Sequence, residues 1–387
     1  MMMKIATVEP LPIGRYLYVR ITTESGLVGI GESGAWGHLE ASAAAIAKFG
    51  AYLVGRDARP IEHHWNVMHR SHHFTGAAIT GAISAIDIAL WDLKGKQLGV
   101  PVHELLGGAM RRKARLYAHV KGRTIDEQAA HVSTLRKAGF TAVGHLNPLL
   151  DENIEDPYFR AHARKMRDAI RNVARLREAA GEDMDLCIEI HRRLTVPEAV
   201  TLARGIEPYH PMFFEDPLPP ANPDAMAWVA DHIPIPIATG ERYTGLHQFQ
   251  TLLARRGAQF LRPCICLCGG ITGGRKIAAL AEAHDVQIVP HNPLSPVSLA
   301  ACLQLGAAIP NLAIQEYPSA SPGADGSALL PAHDVVTGLD QPQDGFIRIP
   351  DGPGLGIELV PGVEHREPVR PRPIQMRPHV DGGVVDQ

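Results

Sequence analysis

Net charge, cysteine and long apolar runs are all scarce in this chain of 387 residues. Its 38 Lys and Arg stand against 41 Asp and Glu, for a net charge of −3. That balance argues against nucleic acid or an anionic membrane as the main partner, because both need a basic surface or stripe. The five cysteines, Cys187, Cys264, Cys266, Cys268 and Cys302, are odd in number on a long chain, which disfavours a disulfide scaffold. No stretch approaches the roughly 18 uninterrupted apolar residues of a membrane span, and the start Met1-Met2-Met3-Lys4-Ile5-Ala6 has no apolar h-region. The cytoplasm is therefore the expected location. There is no phosphate loop, no dinucleotide fingerprint and no sequence repeat. What is present suits a large globular core, with 45% hydrophobic residues, and 37 Gly with 31 Pro imply many tight turns. The 20 histidines direct attention to metal or proton chemistry without placing it.

At this length two or three domains are expected, or one barrel with an addition. Residues 4–9, 16–23 and 27–32 read as an antiparallel meander. Helical patterns follow at 39–53, 61–71 and 77–97, the last so poor in charge before Asp87 that it reads as buried. From Leu116 onward short apolar strands alternate with helices. Their expected ends lie near His119, Asn147, His191, Glu215, Glu241, Cys264, His291 and Glu316. From Glu189 on, the steps are 26, 26, 23, 27 and 25 residues, which is the length of a strand, a helix and two loops. This pattern predicts a closed eight-stranded parallel barrel. The longer gap after Asn147 is read as an insertion containing the polar stretch 151–156 and a helix ending near Ala180. Further strands are expected at 345–349 and 356–360. The expected division is an N-terminal α+β capping domain over 1–114, a barrel over 115–320, and a C-terminal segment over 321–387 that returns to the cap. The tail from Pro361 is read as either disordered or used in contacts between subunits of a homo-oligomer.

A parallel barrel places its chemistry at the C-terminal ends of its strands. Glu189, Glu215 and Glu241 end three successive strands there. Three convergent carboxylates cannot all stay ionised without a cation, and hard oxygen ligands on rigid strands suit Mg²⁺. In Glu189-Ile190-His191 strand alternation sets Glu189 and His191 on one side, so an imidazole stands beside the metal as acid or base. His291, at the end of strand seven, would face it across the mouth. Cys264, Cys266 and Cys268 would share a face on a strand, but no matching Cys or His spacing supports a soft-metal site, and they read better as small residues packing at a strand end and the next loop. Gly269-Gly270 reads as a tight loop before a helix. Cap segments 13–16, 36–38 and 72–75 are candidates to cover the mouth and shape substrate choice.

These residues carry a resemblance. The stretches Ala89-Leu90-Trp91-Asp92-Leu93-Lys94-Gly95-Lys96, Glu189-Ile190-His191, Phe213-Phe214-Glu215-Asp216-Pro217, Ala238-Thr239-Gly240-Glu241-Arg242, Pro290-His291-Asn292-Pro293 and Gln315-Glu316 follow in the order and spacing of the enolase superfamily. Within it the chain resembles the mandelate racemase-like branch, and there the galactonate- and mannonate-type acid-sugar dehydratases. The resemblance implies a modified TIM barrel, (β/α)₇β, under an α+β cap. It implies one Mg²⁺ per chain on Glu189, Glu215 and Glu241, and a small sugar acid as substrate. It further implies α-proton removal by His291, loss of the 3-hydroxyl assisted by His191, and a 2-keto-3-deoxy acid as product. Glu316 would hydrogen-bond the substrate carboxylate.

Two departures from the family pattern bear on mechanism. Cys264 stands where the galactonate dehydratase pattern has an Asp that orients the strand-seven histidine, and a thiol fixes an imidazole poorly. His145 stands in the strand-two segment where the family often carries Lys, and is a candidate acid or base. The alternatives are an α-hydroxy-acid racemase or epimerase, and a catalytically impaired metal-binding member with a ligand-binding role.

Overall fold

The computed structural model describes residues 2–150, 156–191, 193–319, 330–366, 369–370, 372–374 and 376–385. The N-terminal meander is β1 (Ile5–Ile13), β2 (Tyr16–Thr23) and β3 (Val28–Ser33), paired antiparallel in that order. It packs on α1 (Leu39–Leu53), α2 (Ile61–Arg70) and α3 (Ala77–Leu98). Helix α3 is buried at almost every position from Thr80 to Gly95, as its low charge predicts. It lies so close to β3 that a Cβ on Gly29 or Gly31 would strike the carbonyl of Ala89 or Ala85, at 2.3 and 2.0 Å. Glycine on β3 thus lets sheet and helix touch backbone to backbone.

A short α4 (Val102–Leu105) leads into the barrel. Its strands are β4 (Lys113–His119), β5 (Ala142–Leu146), β6 (Asp185–Glu189), β7 (Phe213–Glu215), β8 (Ile237–Thr239), β9 (Phe260–Leu261), β10 (Gln287–Ile288) and β11 (Gln315–Tyr317). They pair in parallel from β10 back to β4 and then β11, and the bridge between Ile288 and Leu312 closes the ring. Seven helices lie between them: α5 (Ile125–Lys137), α6 (His162–Ala180), α7 (Val196–Ile206), α8 (Pro223–His232), α9 (Leu246–Ala254), α10 (Gly270–Glu282) and α11 (Pro296–Ala308). The fold is a (β/α)₇β barrel with an α+β cap. Helix α5 begins in a reciprocal box, where Glu127 N donates to Thr124 Oγ1 at 3.2 Å and Thr124 N donates to Glu127 Oε2 at 3.2 Å.

The barrel interior is filled below its mouth by Tyr117, Ala142, Cys187, Phe213, Ala238, Val289 and Ile314. This plug makes the barrel a floor and not a pore. After β11 the chain forms β12 (Val336–Thr337), β13 (Phe346–Arg348) and β14 (Glu358–Leu359); β13 pairs antiparallel with β4 and β12 with β14. Gly354 then hydrogen-bonds Val100 and Val102 in the cap segment. The polar stretch 151–156 lies, apart from Asp156, outside the described residues. The tail carries a short hairpin, Arg377–Pro378 with Val384–Val385, bridged to Tyr158 through His379.

Cys264, Cys266 and Cys268 do not alternate along a strand but pack in the loop after one, as small residues at a strand end. Strand β9 stops at Leu261, and Leu267 N and Cys268 N both donate to the Cys264 carbonyl at 2.8 Å, a helical turn. All five cysteines are free and buried. Burial pushes the Cys264, Cys266 and Cys268 thiols up, so they act as small apolar side chains. Gly269 and Gly270, at φ 98° and 71°, do form the tight entry to α10.

Candidate active site

The carboxylates meet at the barrel mouth because of strand register. Glu189 and Glu215 end β6 and β7 and are direct Cα partners in the ladder. Glu241 arrives differently, two residues beyond β8, after Gly240 at φ 128° turns the chain inward. One oxygen from each lies within 4.8 Å of the others. Glu189 and Glu215 are almost wholly buried, at 3% and 1% exposure.

Burial, with the neighbouring Glu189 and Glu241 charges, pushes the Glu215 carboxyl well up against the opposing pull of Arg262. Burial alone would raise Glu189 too, but His191 and His145 hold it low. Glu189 Oε1 is buried with His191 Nε2 2.9 Å away, but among the described residues it has no donor aligned for a hydrogen bond. Three oxygens converging in a buried, mutually repelling set, with one lone pair unspent, fit a hard divalent cation.

The histidines come from strained backbone. Strand β5 is irregular between Val143 and Leu146, and His145 sits there at φ 55°. Gly144 beside it admits the Tyr117 ring, which a Cβ would meet at 2.3 Å. His191 has φ 53° and lies past the end of β6. So its nearness to Glu189 is owed to a left-handed turn and not to strand alternation, which corrects the expected reason. His145 Nδ1 is 3.0 Å from Glu189 Oε2, and His191 Nε2 is 2.9 Å from Glu189 Oε1. His291 Nε2 lies 3.2 Å from Glu241 Oε2, and its Nδ1 is buried with no hydrogen-bond partner among the described residues. Cys264 supplies no orienting contact to it.

Glu316 on β11 accepts His119 Nε2 at 2.7 Å, Arg262 Nη2 at 2.7 Å and Asn292 N at 2.6 Å. Burial opposes its ionisation, but Arg262 and His119 hold it far below the usual carboxylate range. Arg262, fully buried, also donates to Glu215 Oε1 and the Tyr117 hydroxyl. It thereby ties the carboxylate cluster to Glu316. Burial lowers His119 to about 4, against the pull of Glu316, so its imidazole is neutral. Its ring stacks on His145 with centroids 4.7 Å apart.

Arg262 and His119 are site residues that the motif reading did not single out. A lone Arg in the apolar run Phe260-Leu261-Arg262 is the signal for the first. For the second it is alternation in Tyr117-Ala118-His119, since Glu316 pairs in register with Tyr117. Of the cap segments expected at the mouth, Gly14, Arg15, Tyr16, Trp36 and Gly37 line a cavity of about 520 Å³ against Val369, Arg370 and Arg372.

Residues 2–107 match the N-terminal domain family of mandelate racemase and muconate lactonizing enzyme, and residues 109–363 match the enolase C-terminal domain-like family. This chain belongs to the enolase superfamily, in its mandelate racemase/muconate lactonizing enzyme family. A D-galactonate dehydratase of Cronobacter sakazakii is 37% identical to it over 348 residues, 89% of each chain. One of Ralstonia nicotianae is 36% identical over 378 residues, 96% of each. Among solved structures, an enolase from Agrobacterium radiobacter with Na and L-malate bound superposes with a TM-score of 0.89 at 30% identity, covering 100% of both chains. Among the described residues no helix is long and apolar enough to cross a membrane.

Proposed function

We propose that this protein dehydrates a sugar acid, with Mg²⁺ held by Glu189, Glu215 and Glu241, to give a 2-keto-3-deoxy acid. The observation that carries the reading is the convergence of those three carboxylates, two buried and Glu241 half-buried, at the barrel mouth, with imidazoles on two sides. The relatives named D-galactonate dehydratase support the substrate class and the reaction type. When bound, the cation supplies positive charge that lowers the cost of removing a proton α to a carboxylate.

The rest falls to this chain's side chains. His291, through Nε2, takes the proton from C2. The C3–O bond then breaks, and His191 gives a proton to the departing hydroxyl so that it leaves as water. The enol left behind tautomerises to the keto acid. Glu316, pinned by Arg262 and His119, lines the carboxylate end of the substrate. His145 shares Glu189 with His191 and is the alternative acid or base. The test is conversion of an aldonate panel to 2-keto products with Mg²⁺ added. Glu215→Gln is expected to lose one Mg²⁺ per chain by calorimetry and about 10³-fold in rate. Full metal occupancy in that variant would remove the reading.

The orphaned Nδ1 of His291 favours a second reading, a member whose base is impaired and whose role is ligand binding. Cys264→Asp separates the two. If His291 is the base, the new carboxylate orients it, and α-proton exchange in D₂O rises by about 10-fold or more. His291→Asn then abolishes exchange in both backgrounds. Exchange that survives His291→Asn would hand the base to His145.

A further inference from the structure

The mouth holds a second convergent ligand set, which shares Glu189 with the proposed Mg²⁺ set. His145, His191 and Glu189 each offer one ligand atom within 4.8 Å of the others. The two imidazoles approach Glu189 from different strands, one onto each carboxylate oxygen, at 3.0 and 2.9 Å. Their rings stand edge to face, with centroids 4.8 Å apart and planes at 72°. Both histidines are held at φ near +55°, a conformation that costs a non-glycine residue energy and persists only where the surroundings enforce it. Their side chains remain 34% and 22% exposed while Glu189 is buried, so the set is closed below and open above.

Two nitrogens and one oxygen are the wrong donors for Mg²⁺ and suit borderline first-row ions. Two His and one Glu, with a fourth position open to water, is a known zinc donor set. We propose that His145, His191 and Glu189 form a second cation site, selective for a transition divalent ion such as Zn²⁺, beside the all-oxygen site and sharing Glu189 with it. The ion replaces the two imidazole N–H groups as the positive partner of Glu189. Because it occupies the His191 nitrogen that would otherwise carry a proton, filling the site opposes turnover. Mg²⁺ and Zn²⁺ thus act on the same mouth with opposite sign. The site stands on the geometry of these three side chains and not on the assigned reaction.

The full chain, stripped by chelator, is titrated with Co²⁺ as a spectroscopic probe and with Zn²⁺ by calorimetry, in the wild type and in Glu215→Gln. A nitrogen-ligated visible band and one Zn²⁺ equivalent are expected to survive Glu215→Gln. His145→Gln and His191→Asn, each checked for folding by circular dichroism, should each weaken Zn²⁺ by more than the roughly 10–100-fold that loss of an outer-shell partner costs. His145→Gln removes no oxygen ligand but does remove an outer-shell partner of Glu189, so Mg²⁺ affinity should fall by no more than roughly 10–100-fold, less than the loss for Zn²⁺. Zn²⁺ affinity unchanged in both histidine variants, or a Co²⁺ spectrum of all-oxygen type, overturns the proposal. The dehydratase reading fails separately, in Mg²⁺ titration and product assay.

Discussion

Two groups of buried carboxylates occupy different parts of this molecule. At the barrel mouth Glu189, Glu215 and Glu241 face one another. Along the seam between cap and barrel, Glu32, Asp87 and Asp92 are just as buried but face backbone N–H groups. Glu32 on β3 accepts Ser298 N at 3.0 Å, Ser295 N at 3.3 Å and the Ser295 hydroxyl at 2.5 Å, which seats it on the N-terminus of α11. Asp87 on α3 accepts Thr272 N at 3.0 Å at the start of α10. Asp92 accepts Ile30 N at 3.0 Å and Leu355 N at 2.8 Å, with Lys96 Nζ at 3.0 Å. Helix N-termini supply partial positive charge and unspent donors to Glu32 and to one oxygen of Asp87, while strand, loop and Lys96 donors serve Asp92, so the fold itself satisfies these carboxylates except at Asp87 Oδ1, which has no partner among the described residues. It does not satisfy the mouth carboxylates. Burial of an acid is therefore no sign of a cation; what the acid faces decides it.

The sharpest way to break this contrast is to remove one member from each group. Asp92→Ala removes the buried carboxylate partner of Lys96, which keeps Glu358 and the Val28 carbonyl, and leaves the N–H groups of Ile30 and Leu355 unpaired. It is expected to cost about 3–5 kcal/mol in urea unfolding, the usual penalty for breaking a buried pair from one side. Mg²⁺ stoichiometry in the folded fraction should not change. Glu241→Gln should do the reverse. It relieves repulsion at Glu215, so metal-free stability should move by no more than about 1 kcal/mol, while Mg²⁺ affinity falls by more than about 100-fold. Equal stability losses in the two variants would erase the distinction.

The sequence makes this division only half legible. Strand-end spacing is readable because a βα unit has a nearly fixed length, and the six strands from β6 to β11 end within three residues of where the steps of 23–27 residues put them. Strand lengths are not readable. Strands β9 and β10 keep only two residues each, and Glu241, Cys264 and His291 sit in turns beyond their strands. Glu241 is turned in by positive φ at Gly240, and His145 and His191 are set by their own positive φ, which no apolar pattern encodes. The mouth acids announce themselves by recurring at one period. The seam acids do not, because their partners are backbone atoms contributed by Ser295, Ser298, Thr272 and Leu355, more than 180 residues away. Arg262 hides for the opposite reason: its strand reads as plain core, and only the tertiary fold shows the two carboxylates it joins.

A pH-dependent effect lies in the seam. Burial pushes the Glu32 carboxyl up to about 7, although Ser295, Ser298 and more distant Arg15 pull it down. A carboxyl raised in the folded state binds its proton more tightly there than in the unfolded chain. Its contribution to stability is full below the ordinary carboxylate range and is lost as pH rises through about 7. Glu32→Gln keeps an acceptor for the Ser295 hydroxyl and cannot ionise. Relative to this variant, the wild type should lose about 1.4 kcal/mol per pH unit between roughly pH 5 and 7, then level off. Urea unfolding of both proteins at pH 5, 6, 7 and 8 reads the difference. A flat difference would mean that the α11 N-terminus holds Glu32 ionised throughout. The seam would then resemble the mouth in charge, and the two groups would differ only in whether the compensating positive end belongs to the chain.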